Sequence, residues 1–149
     1  MSPVPVEPPE DPRRATYLLQ SDVALLNAWA CDLRRVFPSS AKDADDDEWP
    51  PPAAYLVGSA LERPNFRDVD VRIMLPDDHY DRLAASIDLA SLHLALSLWG
   101  QKVTGLPIDC QTQRTSNANA EFNGPRHAIG IISFAALLAP RLKDTADAC

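Results

Sequence analysis

The chain is short of lysine and of long apolar runs, and each shortage removes a class of protein. Only three lysines stand beside eleven arginines, and 21 acidic residues leave a formal net charge of -7 over 149 residues. With a pI near 4.8, the chain lacks the basic face that grips nucleic acid by releasing counterions. A small or protein substrate suits this balance better, although carboxylates gathered around a divalent cation also lower the net charge. The cysteines Cys31, Cys110 and Cys149 are odd in number and show no CxxC spacing. Neither a disulfide framework nor a zinc knuckle is expected, and reduced thiols are. No apolar run approaches the roughly 18 residues of a membrane span, and MSPVPVEPPEDPRR at the start has no apolar h-region. The expectation is a cytoplasmic protein without membrane contact. Aromatic residues make up 7%, with none of the aromatic and basic interleaving that stacks single-stranded bases.

Proline, by contrast, is abundant: there are 14, many of them gathered in 3–12 and 50–52. Residues 1–14 read as a flexible Pro-rich arm with too little to bury. Residues 15–149 have the length and the 46% hydrophobic content of one domain able to build its own core. The excess of arginine over lysine, with plentiful Ala, Asp and Pro, points to a high-GC bacterial or phage genome.

From Ser21 the apolar residues Val23, Leu26, Ala30, Leu33 and Phe37 recur at three and four positions, so a helix is expected, capped by Ser21 or Asp22 and ended by Pro38. The acidic and proline-rich stretch 39–52 reads as a loop. A short buried strand is expected over 54–57, then a brief helical turn over Ser59–Glu62. Strict alternation over 68–75 predicts a half-buried strand, with Val69, Val71, Ile73 and Leu75 on one face and Asp68, Asp70, Arg72 and Met74 on the other. One long helix follows, capped by Asp77 or Asp78. Its stripe Tyr80, Leu83, Ile87, Ala90, Leu94 and Leu98, widened by Leu89, Leu92 and Leu96, would pack on the sheet, and Gly100 or Gly105 would end it. A third strand over 106–114 sets Asp109, Gln111 and Gln113 against Ile108, Cys110 and Thr112. An Asn- and Gly-rich stretch over 116–125, an apolar run near 128–132 and a last helix over 133–138, limited by Pro140, complete the chain. The expected class is α/β (α+β), with a small mixed sheet packed against helices.

The chemistry gathers around two features. Asp68 and Asp70 are one residue apart, and the two-residue period of a strand puts both carboxylates on one face, where hard oxygens suit Mg²⁺. Gly58-Ser59 follows a strand immediately, and glycine lets a phosphate approach the backbone, whose N–H groups and the serine hydroxyl can hold its oxygens. A phosphate cradle would then lie beside a cation site. Asp109 is a third carboxylate on a polar strand face. Among the remaining residues, His93 reads as a packed or boundary histidine and His79 as solvated. Arg126 and His127, beside a Gly-Pro turn, read as structural, and Trp29, Trp49 and Trp99 as core or boundary residues.

The run LVGSALERPNFRDVDVRIML resembles the signature of the DNA polymerase beta-like nucleotidyltransferase superfamily: a hydrophobic strand, Gly-Ser, a short spacer, then Asp-x-Asp. The likeness is tight over about twenty residues and extends by element order over 22–113. It implies a nucleotidyltransferase fold and two Mg²⁺ ions, with Mn²⁺ as an alternative. Asp68, Asp70 and Asp109 would be the metal-binding and catalytic acids, and Gly58, Ser59 and Arg63 would hold the nucleotide phosphates. The implied reaction moves a nucleoside monophosphate from a nucleoside triphosphate, such as ATP, to a hydroxyl acceptor on a small molecule, protein or RNA end, releasing pyrophosphate. Where minimal bacterial members often show Ser-Ala-Arg-Gly, this chain has Ala60, Leu61, Glu62 and Arg63, with Arg67 and Arg72 as alternative phosphate-binding arginines. The other reading is a catalytically inactive module with the same fold, serving as a nucleotide sensor or as one half of a protein pair or homo-oligomer through an apolar segment at 128–138. A third is a structural protein with an incidental DxD.

Overall fold

The computed structural model describes residues 16–37, 54–121 and 124–130. The expected arm at 1–14, the loop at 39–52 and the closing helix at 133–138 lie outside the described residues. The elements run α1 (Gln20–Val36), β1 (Ala54–Val57), α2 (Ser59–Glu62), β2 (Val69–Leu75), α3 (Asp77–Ser86), α4 (Leu89–Thr104), β3 (Ile108–Arg114), α5 (Thr115–Glu121) and β4 (His127–Ile129). The four strands form one mixed sheet in the order β3-β2-β1-β4. The chain is thus mixed α and β, as expected. β2 and β3 are parallel, whereas β1 is antiparallel to both β2 and β4.

Alternation decides which face is buried. Val69, Val71, Ile73 and Leu75 of β2 turn inward with Leu56, Ile108, Cys110 and Ile129, and they meet Leu26, Trp29, Ala30 and Leu33 of α1. The α1 periodicity therefore reads correctly. Its start does not, because Leu19 holds the N-cap position without a side-chain hydrogen bond, and Asp22 sits inside the first turn, near the helix dipole. Trp29 packs edge-on against Trp99 at 6.0 Å and 85°. Gly100 makes room for it, since a β-carbon there would lie 2.8 Å from the Trp29 ring. Burial pushes the Cys110 thiol up to about 12, which leaves it inert at neutral pH. Cys31 is disulfide-bonded, which corrects the expectation that every thiol is reduced.

The single long helix expected after Asp77 is instead two helices, α3 and α4, bent by 101° at Ile87-Asp88. Asp88 caps α4, its carboxylate accepting from the Ser91 amide at 3.2 Å and the Ser91 hydroxyl at 2.5 Å. At the far end Gly105 takes the left-handed conformation that closes the helix. The expected inward stripe is also corrected, because Leu94 and Leu98 are 61% and 54% exposed. No single described helix is long and apolar enough to cross a membrane.

The reason for the rotated stripe is the outer edge of β3, which no other strand pairs among the described residues. An outermost strand leaves every second amide and carbonyl without a sheet partner, and leaving such groups buried and unpaired is costly. α4 supplies the partners from polar side chains four residues apart. His93 Nε2 accepts from the Thr112 amide at 3.0 Å, Ser97 Oγ accepts from the Cys110 amide at 2.9 Å, and Gln101 Nε2 donates to the Ile108 carbonyl at 3.1 Å. Four helical residues advance about 6 Å and two strand residues about 6.6 Å, so the two rows stay in step. Turning His93, Ser97 and Gln101 toward β3 leaves Leu94 and Leu98 on the outward side of α4.

This edge contact makes stability sensitive to pH. Burial of His93, the largest influence, and the Arg72 charge both hold its imidazole below the ordinary value of 6.5, while Asp109 acts the other way. The unfolded chain therefore binds the proton more readily than the folded one. Stability is complete above the ordinary imidazole value and is lost as pH falls below it toward the folded-state value. His93→Gln keeps an acceptor for the Thr112 amide but no titrating ring. Urea unfolding at pH 7.5 and 5.5 is expected to show a smaller acid-side loss for this variant than for the wild type.

Candidate functional site

Register alone builds the centre of the front face. In the parallel β2–β3 pair Asp70 stands opposite Asp109. In the antiparallel β1–β2 pair Val57 stands opposite Asp70, so the next residue, Gly58, closes over the Asp70 carboxylate. A β-carbon on Gly58 would lie 2.5 Å from Asp70 Oδ2. With φ 76° and ψ -153°, Gly58 also occupies a backbone region that is essentially restricted to glycine. The Gly-Ser turn and the second aspartate of the DxD are thus in direct apposition.

A residue from the same strand face joins them. Arg72 lies two positions after Asp70, and its guanidinium enters between the two acids: Nη2 is 3.4 Å from Asp70 Oδ1 and 3.3 Å from Asp109 Oδ2. Nη1 donates to the carbonyls of Val71 at 3.0 Å and Asp109 at 3.1 Å. Gln111 donates to both Asp109 oxygens. Even so, the Asp70 carboxyl is held above its ordinary range. Burial is the largest cause; Arg72 opposes it, while Asp109, by charge and by hydrogen bond, and Asp68 add to it. A carboxylate cluster whose burial and mutual repulsion outweigh its one buried cation is short of positive charge.

Asp68 is exposed and immediately precedes β2 rather than lying within it. It reaches Asp70 through its charge. Ser59 opens α2, a helix of four residues, and its carbonyl accepts from the Arg63 amide. Arg63 is exposed at the C-terminal cap of α2.

In front of Asp70 lies a cleft of about 460 Å³ that Gly58, Arg72, Tyr80, Arg114 and Asn117 help to line. Ser59, Arg63, Asp68 and Asp109 do not line it. Arg114 stacks over the Tyr80 ring at 5.5 Å and pairs with Asp81, joining β3 to α3 at one wall. α5 forms the other wall, on a stretch read only as Asn- and Gly-rich, with no helix expected there. Arg126 holds it in place, donating to the Ala118 carbonyl at 2.5 Å and to Asn119 Oδ1 at 3.0 Å. Tyr80 and Arg114 were missed as site residues because their approach depends on the bend after α3. Arg72 carried a sequence signal, since it shares the polar face of β2 with Asp70.

Among the described residues no three His, Cys, Asp or Glu side chains are grouped closely enough to hold a metal ion. The donor chemistry nonetheless fits a hard cation: Asp70 and Asp109 flank one gap from two strands, and that gap already holds a positive group. Compared with known proteins, the chain matches no family model, no curated protein and no solved structure.

Proposed function

We propose that the front face is the metal and nucleotide centre of a nucleotidyltransferase, which moves a nucleoside monophosphate from a triphosphate to a hydroxyl and releases pyrophosphate. The observation that carries this reading is the apposition of Gly58 with Asp70, and of Asp70 with Asp109, across three neighbouring strands. The mixed sheet packed against helices supports the reading at the level of fold class. Asp70 and Asp109 would hold the Mg²⁺ ions, with Asp68 as an outer carboxylate. Bound there, the ions would offset charge on the attacking and leaving oxygens of an in-line displacement.

The chain's own groups supply the rest. Gly58, lacking a side chain, leaves the backbone open to the phosphates, and Ser59 offers them its hydroxyl. Arg63 would reach them from the edge of α2. Asp109, the more exposed acid, would take the proton of the acceptor hydroxyl. The cleft between Tyr80, Arg114 and α5 gives the substrates a walled space beside Asp70.

A specific observation favours a second reading, an inactive module with the same fold: Arg72 fills the gap between the two acids. Incubation with Mg²⁺ or Mn²⁺, each α-labelled triphosphate and a panel of hydroxyl acceptors separates the two. Transfer of label with release of pyrophosphate is expected for the enzyme. Nucleotide binding without transfer under any combination would instead leave the module.

A further inference from the structure

Arg72 is more deeply placed than either acid it joins: its side chain is 16% exposed, against 24% for Asp70 and 42% for Asp109. It is also fixed from two sides, by backbone carbonyls on Nη1 and by carboxylates on Nη2. Such a guanidinium is not a loose surface charge. It supplies positive charge to two facing carboxylates, with the forked donors that suit carboxylate oxygens.

We propose that Arg72 is a built-in counter-cation that competes with divalent metal for the gap between Asp70 and Asp109, so that metal enters only by displacing it. The inference rests on the metal-centre reading above and adds a control to it. One Asp70 oxygen and one Asp109 oxygen face the guanidinium, so an ion bridging the two acids meets Arg72 directly. Arg72 therefore raises the metal concentration needed to load the site and partly compensates the two acids without metal. Removing its charge leaves Asp70 and Asp109 facing one another without their shared guanidinium, which strengthens their hold on a dication.

The test is Mn²⁺ binding followed by electron paramagnetic resonance at pH 7.5, with no nucleotide and no turnover. Arg72→Gln is expected to bind Mn²⁺ about tenfold more tightly than the wild type. Arg72→Lys, which keeps the charge but loses the fork, should fall between them, and Arg72→Gln combined with Asp70→Asn should lose the gain. Circular dichroism establishes folding, and if Arg72→Gln does not fold, Arg72→Lys decides by binding more tightly than the wild type or not. Equal or weaker binding by the folded Arg72 variants, with Asp70→Asn abolishing binding in the wild-type background, overturns the competition while leaving the metal centre standing. No Mn²⁺ binding by any of the proteins overturns both.

Discussion

Asp70→Asn is expected to abolish nucleotidyl transfer while leaving the fold as stable as the wild type or slightly more so. Asparagine keeps the volume and one carbonyl oxygen, so the packing against Gly58 survives. It cannot supply a charged oxygen to a dication, and loss of a direct ligand should exceed the 10- to 100-fold loss of affinity that follows changes around metal ligands. Turnover should fall by roughly 10²–10³-fold or more, as when a single group that stabilises a transition state is removed. The stability half follows from the direction of the Asp70 shift. A carboxyl held above its ordinary range binds its proton more readily in the folded state, so its ionised form weighs against folding as pH rises through that range. A neutral amide relieves that cost, and loss of the Arg72 partner offsets part of the relief. Activity lost at preserved melting temperature marks residues kept for function rather than stability.

Gly58→Ala is expected to act on both fold and site. The glycine-only backbone conformation costs an alanine about 1–3 kcal/mol, and its β-carbon would meet the Asp70 carboxylate. A total near 3 kcal/mol would lower the melting temperature by about 10 °C in a domain of this size. The two costs separate in a double-mutant cycle. With Asp70→Ala in place, the collision disappears and the backbone strain remains, so the Gly58 penalty should shrink without vanishing. An unchanged penalty would mean that the turn and Asp70 are independent.

Alternation made β2 and β3 legible and a short apolar run before Gly58 revealed β1, whereas β4 was legible only as an apolar run near 128–132. Asp68–Asp70 and Gly58 were visible for the same reason, each lying at a strand end with a simple local rule. The break at Ile87-Asp88 was hidden by chance phasing, since Leu83, Ile87, Ala90, Leu94 and Leu98 continue one stripe across it. Asp88 followed by Ser91 was a readable cap within that stripe. The inward turn of His93, Ser97 and Gln101 had no local signal at all, for it answers the outer edge of β3. Arg72 was visible on the correct face, but its bridge to Asp109 depends on the parallel register of β2 and β3, which a period of two does not specify. α5 was not foreseen because Thr115, Ser116, Asn117 and Asn119 favour turns over helix interiors.

The central claim is that Asp70 and Asp109 together hold a metal-bound nucleotide. Calorimetric titration of Mg²⁺ and a non-hydrolysable triphosphate into the wild type, Asp70→Asn and Asp109→Asn tests it most directly. Saturable binding of at least one triphosphate by the wild type is expected, weakened by more than ~100-fold in each variant. Absence of wild-type binding for all four ribonucleoside triphosphates, or equal binding by the three proteins, would contradict it.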